Sequence, residues 1–270
     1  MPSKEEGHAW VQSVVNRHLP LGTRHYSAFV YAGGLVSNSF GGESDPQPQE
    51  GKVVEHSDHW VLLKVDQTSV FVVPKELLET VPEIGATVRI TPYARRRFDG
   101  TRLDALAAKD APGNATRAIV IGEARSELPV DKNSISSPLL KEMIEQVEAR
   151  LAPDGMRTLA QVLIDAGAAN RPVGLRDPSE VDEIAAPPTL QFHIDNTRFK
   201  GMLNIVFHRV DDCFRVQLAE YGSWAVVKET NHVPFSALAE VLTDLVDDGK
   251  WRIAKVEVLK PAPRRTKAAG

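Results

Sequence analysis

Residues 51–93 read GKVVEHSDHWVLLKVDQTSVFVVPKELLETVPEIGATVRITPY, and this stretch decides the architecture. Four short runs of β-branched and apolar residues, 52–55, 59–65, 69–73 and 86–91, are separated by turn-forming residues. Ser57-Asp58 and Asp66-Gln67 supply the first two turns, and Pro82 with Gly85 breaks a short helical piece around 75–79. Strands this short and this closely spaced predict a small, curled antiparallel sheet or barrel.

Upstream, residues 4–17 suit a short helix, and 26–35 mix aromatic and β-branched residues as a strand does, ending at Gly33 and Gly34. Residues 40–51 (FGGESDPQPQEG) read as a loop. Downstream the pattern weakens over 105–114, and 116–121 offers one more strand to close the unit. Residues 126–136 hold Pro129, Lys132 and Asn133 with little apolar content, which reads as a domain boundary.

An αα-hairpin follows. Ser137 is placed to cap a helix with Pro138 at its first position and Leu140, Met143, Ile144, Val147 and Leu151 on one face. After Pro153-Asp154-Gly155, Asp154 is placed to cap a second helix carrying Leu159, Val162, Leu163 and Ala166, stopped by Gly167. Residues 171–188 contain four prolines and read as a tether.

From Thr189, Leu190, Phe192 and Ile194 alternate with Gln191, His193 and Asp195 as in a half-buried strand. A hairpin over 202–208 and 213–219, a strand near 224–228, an amphipathic helix opened by Pro234 and a strand over 251–259 complete the pattern. The expected class is therefore α+β: an N-terminal antiparallel β-barrel-like domain (1–125), a linker and helical hairpin (126–188), a C-terminal α+β domain (189–260) and a disordered tail (261–270).

Composition bounds the function. With 32 basic and 36 acidic residues the formal charge is −4, so no global attraction to nucleic acid or anionic lipid is implied. Cys213 is the sole cysteine, which excludes an internal disulfide and fits a reducing compartment. No apolar run approaches the roughly 20 residues that span a bilayer, and Glu5, Glu6 and His8 stand where a secretory leader needs a basic flank and an apolar run. The expected location is cytoplasmic, with no membrane association.

Candidate chemistry is sparse. Phosphate-binding glycine loops and the G-x-S-x-G elbow are missing from the sequence, and no cofactor, catalytic residue or metal ligand is assigned. His56 and His59 with Glu55 supply two imidazoles and a carboxylate at a spacing equally suited to a solvated turn. His193, His208 and His232, with Asp195, Asp211 and Asp212, would make an acid/base group only if their strands align; solvent exposure on the polar phase explains them equally. Cys213 lies beside two acids that oppose thiolate formation, so it reads as a packed strand residue.

The sharpest polar cluster is Tyr93-Ala94-Arg95-Arg96-Arg97-Phe98. Three guanidinium groups suit phosphates, and Tyr93 and Phe98 suit base stacking, so these five residues are the expected nucleic-acid contact; a solvated charge run is the alternative. Arg264, Arg265 and Lys267 add a second basic element in the tail.

The 51–93 stretch resembles the KfrB-type domain of plasmid-borne accessory proteins, through Gly51-Lys52-Val53-Val54, Val61 to Val65, Val70 to Val73, Leu77, Pro82, Gly85, Val88 and Ile90. Pro74-Lys75 stands where a histidine would follow the third strand. The resemblance implies a role in maintaining or transferring a mobile element and carries over no catalytic residue. The expected function is thus a non-enzymatic binding or adaptor protein contacting nucleic acid or a protein partner. An enzyme using a histidine/carboxylate group on a small or nucleotide substrate, and a structural protein acting by self-assembly, are the alternatives.

Overall fold

A computed structural model describes residues 2–37, 42–105 and 125–263. The strand expected at 116–121 and the basic tail residues Arg264, Arg265 and Lys267 lie outside the described residues. The chain divides into two units: residues 1–94 together with 250–270, and residues 95–249.

The first unit begins with α1 (Lys4–Val14), whose Ser3 and Glu6 form a reciprocal capping box. Strands β1 (Ser27–Val30), β2 (Val36–Ser37), β3 (Glu43–Ser44), β4 (Gln49–His56), β5 (Trp60–Lys64), β6 (Ser69–Pro74) and β7 (Thr87–Thr91) follow. The second unit holds α2 (Pro138–Ala149), α3 (Leu159–Leu163), β8 (Gly174–Arg176), β9 (Thr189–Asp195), β10 (Lys200–His208), β11 (Cys213–Ala219), β12 (Val226–Val233) and α4 (Leu238–Val246). The chain then returns to the first unit as β13 (Lys255–Lys260).

The first sheet runs β1-β6-β5-β4-β7-β13, with β1 parallel to β6 and the other pairs antiparallel. Among the described residues it is a mixed sheet with two edges, and they form no closed barrel. The reason is visible in β5 and β6, where apolar residues are consecutive. Val61, Leu63, Phe71 and Val73 pack on one face with Val53, Val88 and Ile90. Leu62, Val70, Val72 and Trp60 pack on the other with Val11, Val14 and Val15 of the N-terminal helical segment. Continuous apolar runs of this kind belong to strands buried on both faces. Gly7 makes the α1 contact close, since a Cβ there would stand 2.6 Å from Val30 Cγ1 and 2.9 Å from the Trp60 ring.

The expected domain boundaries do not hold. The last strand pairs Val256 with Ile90 and Val258 with Val88, so it completes the first sheet rather than the C-terminal domain. Ala254 bridges Leu78 just before it and is fully buried. Unit two is therefore an insertion between β7 and β13. The expected boundary at 126–136 is likewise part of a core: Leu128 and Ile135 are buried in the second unit. The carboxylate of Glu148 accepts from Leu128 N at 2.8 Å and from Lys132 Nζ at 2.6 Å.

In the second unit, the sheet β12-β11-β10-β9-β8 is antiparallel throughout. Its Leu190, Phe192, Ile194, Leu203, Ile205, Phe214 and Val216 share one core with Leu140, Ile144, Leu159, Leu163, Leu242 and Val246 of the helices. Each fully buried leucine or isoleucine contributes about 1.5–3 kcal/mol by leaving water. Ser137 caps α2 as expected, accepting from Leu140 N at 3.2 Å. The segment expected as a tether is docked. It supplies β8, and Asp177 accepts from Ser136 N and Ser137 N while Glu183 accepts from Ser137 Oγ, placing two carboxylates at the positive end of α2.

Asp154 does not cap α3; Gln161 Oε1 instead takes Thr158 N at 2.7 Å. Asp154 turns to Arg157, which is buried and also bonds Asp165 and Asp247. A π turn at Ile164–Ala168 ends the helix at Gly167, whose φ of +110° and 2.6 Å approach of a would-be Cβ to Asp195 N admit no side chain. No helix among the described residues is long and apolar enough to cross a membrane.

Candidate metal centre on the five-stranded sheet

The face of this sheet away from the helices carries Gln191, His193, Asn204, Val206, His208, Cys213, Arg215 and Gln217, because β9, β10 and β11 alternate about the core residues named above. In the β10–β11 register His208 lies opposite Cys213 and Val206 opposite Arg215. On β12, Val233 pairs with Phe214 and Thr230 with Val216, so two residues, Asn231 and His232, oppose the single Arg215. This is a β-bulge, and His232 occupies it with φ +52°, in the left-handed region.

The bulge aims His232 back across β11. Its Nδ1 stands 3.9 Å from Cys213 Sγ. Asp211, in the β10–β11 turn, completes a triangle: one carboxylate oxygen, the thiol sulfur and an imidazole nitrogen all lie within 4.8 Å of one another. Among the described residues this is the sole such group of His, Cys, Asp and Glu donors. His208, Arg215, Glu229 and Asn231 line the rest of an open cleft of about 320 Å³.

The electrostatics separate two uses of this triangle. Burial pushes the Cys213 thiol pKa up, and the Asp211 and Asp212 carboxylates push it further, with Arg215 opposing them. A free thiolate nucleophile is therefore disfavoured. A dication reverses that logic: the same carboxylates attract it, and a coordinating thiol loses its proton outright. Burial, then Arg215, lowers the His208 pKa, which keeps its imidazole neutral. Among the described residues His208 Nε2 and Arg215 Nε are buried atoms without a hydrogen-bond partner, two unsatisfied groups in one cleft. Sulfur, nitrogen and oxygen donors together suit zinc-class ions, and three protein ligands leave a fourth tetrahedral position open.

The other residues singled out in the sequence are dispersed. His193 stacks on Tyr221 with ring centroids 5.6 Å apart, and Asp195 pairs with Lys200 at 3.0 Å. Glu55 is engaged by His18 Nε2 at 2.7 Å, and Ser57 Oγ holds the turn between His56 and His59 by accepting from His59 N and Trp60 N. His208, His232 and Asp211 are visible in the sequence as acid/base candidates; the approach of Cys213 to Asp211 and His232 is not.

The expected nucleic-acid contact is placed differently. Tyr93, in the first unit, is 7% exposed and packs edge-on against Trp251 at 4.7 Å. Phe98, in the second unit, is 5% exposed and belongs to its core. Neither ring is presented for base stacking. Arg97 donates to the carbonyls of Arg102 at 2.8 Å and Leu103 at 2.9 Å, fastening its own loop. Arg95 is half-buried and Arg96 exposed.

No family model matches the chain, and searches of curated proteins and of solved structures find no match.

Proposed function

We propose that this chain is a metal-dependent binding protein, holding one divalent ion of the zinc class through Asp211, Cys213 and His232. The observation that carries this reading is the convergence of three unlike donors within 4.8 Å, one of them delivered by a left-handed residue in a bulge. Strained backbone positions cluster where function demands a geometry.

Binding rather than turnover is favoured because Asp211 and His232 are exposed, whereas catalytic metals work in dry, shaped cavities. The ion would tie the β10–β11 turn to β12, an edge strand of its sheet with Val226 and Val227 exposed on it and Trp224 exposed just before it. An edge strand is a template for an added strand, so the partner class that suits this arrangement is an extended protein segment. A nucleic-acid role would rest on Arg95 and Arg96 without stacking rings. A mobile-element role would rest on the resemblance of residues 51–93 alone.

The test is calorimetric titration of the reduced full chain with Zn²⁺, beside Cys213→Ser, Asp211→Asn and His232→Gln. One equivalent binds the parent protein, and each variant binds at least about tenfold more weakly, equivalent to 1.4 kcal/mol. Absence of binding, or affinity indifferent to all three substitutions, overturns the proposal.

A further inference from the structure

The helix-covered side of the second unit has its own opening beside the β10–β11 turn. Phe207, Phe214 and Phe235 line it, with Leu139, Glu142 and Met143 of α2, around a cavity of about 150 Å³. The rings form a continuous aromatic wall: centroids are 5.2 Å apart between Phe207 and Phe214, and 5.9 Å between Phe214 and Phe235. A cavity of this size accommodates a benzene-sized guest.

The charges at its mouth are one-sided. Glu142 and Asp212 border the opening, and neither is in a salt bridge among the described residues. Arg209 is the only cation in the lining, and its charge is held at 2.9 Å by Glu183, a carboxylate 2% exposed. The turn divides its two acids between sites: Asp211 lines the metal cleft, and Asp212, with φ +47°, lines this one.

Aromatic faces attract cations through their quadrupoles, most strongly where water is excluded, and carboxylates nearby add a second attraction of the same sign. The protein already uses one of these rings this way, since the Arg150 guanidinium sits 5.1 Å from the Phe235 centroid. Both carboxylates are exposed and hydrated, so a neutral guest would gain nothing from them, a cation would gain their attraction, and an anion would meet them directly.

We infer that this cleft binds a small organic ammonium cation, a quaternary or methylated amine, through Phe207, Phe214 and Phe235 with Glu142 and Asp212 at the rim. The site lies across the sheet from the metal centre, and its residues include none of the three metal donors.

The test is a chemical-shift titration of the full chain, with a chelator present, using choline and its uncharged isostere 3,3-dimethylbutan-1-ol. Choline gives saturable shifts confined to the cleft, and the isostere binds at least about fivefold more weakly. Phe235→Leu, at a half-open position that tolerates change, and Glu142→Gln with Asp212→Asn each weaken choline several-fold, while Cys213→Ser leaves it unchanged. Equal binding of the isostere would show an apolar crevice without cation selectivity. That result, no saturable binding, or indifference to Phe235→Leu and to the rim pair would each overturn the inference.

Discussion

The Nδ1 of His232 reaches to within 3.9 Å of the Sγ of Cys213 because the β11–β12 pair is bulged, with two residues of β12 facing one of β11. In a regular ladder a residue next to Val233 would project from the opposite face to it, but could not also lean across β11. The left-handed φ of His232 supplies that tilt, at a cost of about 1–3 kcal/mol. His232→Gly relieves the backbone and removes the donor together, so it stabilises the metal-free protein while abolishing metal binding. Urea unfolding and a zinc titration on the same variant check both halves.

Metal affinity rises with pH. The thiol of Cys213 is held protonated by burial and by Asp211 and Asp212, against Arg215, and a bound ion must displace that proton. Log affinity therefore climbs by about one per pH unit while the metal-free thiol remains protonated, and falls equally on acidification. Asp212→Asn removes one of the charges holding the proton, so its profile shifts to lower pH. A flat profile between neutral and mildly alkaline pH would contradict the thiolate assignment.

Tyr31 governs stability in alkali. Burial is the main cause that raises its phenol to about 12, with the Asp45 charge adding to it and a hydrogen bond to the Tyr93 backbone opposing. The folded value exceeds the ordinary one near 10, so the neutral phenol's contribution is complete below pH 10 and is lost as pH rises toward 12. A spectrophotometric titration should show Tyr31 ionising above the ordinary phenol range, and Tyr31→Phe should flatten the alkaline loss of stability in the first unit.

Arg157 holds the second unit together at one buried point, bonding Asp154, Asp165 and Asp247. Arg157→Ala leaves three carboxylates facing a cavity and costs about 3–5 kcal/mol by urea unfolding. Arg157→Met with Asp165→Leu restores part of that loss, because replacing charges with packed apolar groups removes the desolvation cost.

The insertion makes a prediction about autonomy. Tyr93 and Trp251 touch at 4.7 Å, so the chain's exit from and return to the first unit lie side by side. Replacing residues 95–249 with a short Gly-Ser linker leaves a folded unit in which β7 and β13 remain paired, seen as protected amides in hydrogen exchange. Truncation before Lys250 instead removes β13 and the buried Ala254, and destabilises the same sheet.

Local pattern was legible in the sequence; partnership was not. The strands of residues 52–91, the Ser137 cap and the alternation at Leu190, Phe192 and Ile194 follow from side-chain chemistry and appear where expected. The pairing of β13 with β7 was hidden because an apolar alternation names a strand without naming its sheet. The unbroken run Trp60 to Leu63 did hold a signal for two-sided burial, and it argued against a barrel. At the candidate site, His208, His232 and Asp211 could be noticed as titratable residues, but their convergence with Cys213 depends on a bulge at Asn231-His232 that carries no glycine to mark it. The packing of Tyr93 and Phe98 was not legible because an aromatic beside arginines has the same composition whether it stacks on a base or closes a core.

The absorption spectrum of the Co²⁺-loaded full chain reports on the proposed metal centre itself, since Cys213 is the only thiol and any thiolate signal must come from it. An ion held by Asp211, Cys213 and His232 gives a near-ultraviolet thiolate-to-cobalt charge-transfer band and intense tetrahedral ligand-field bands at a single equivalent of metal, both lost in Cys213→Ser. Weak octahedral bands without charge transfer, unchanged by that substitution, would contradict it.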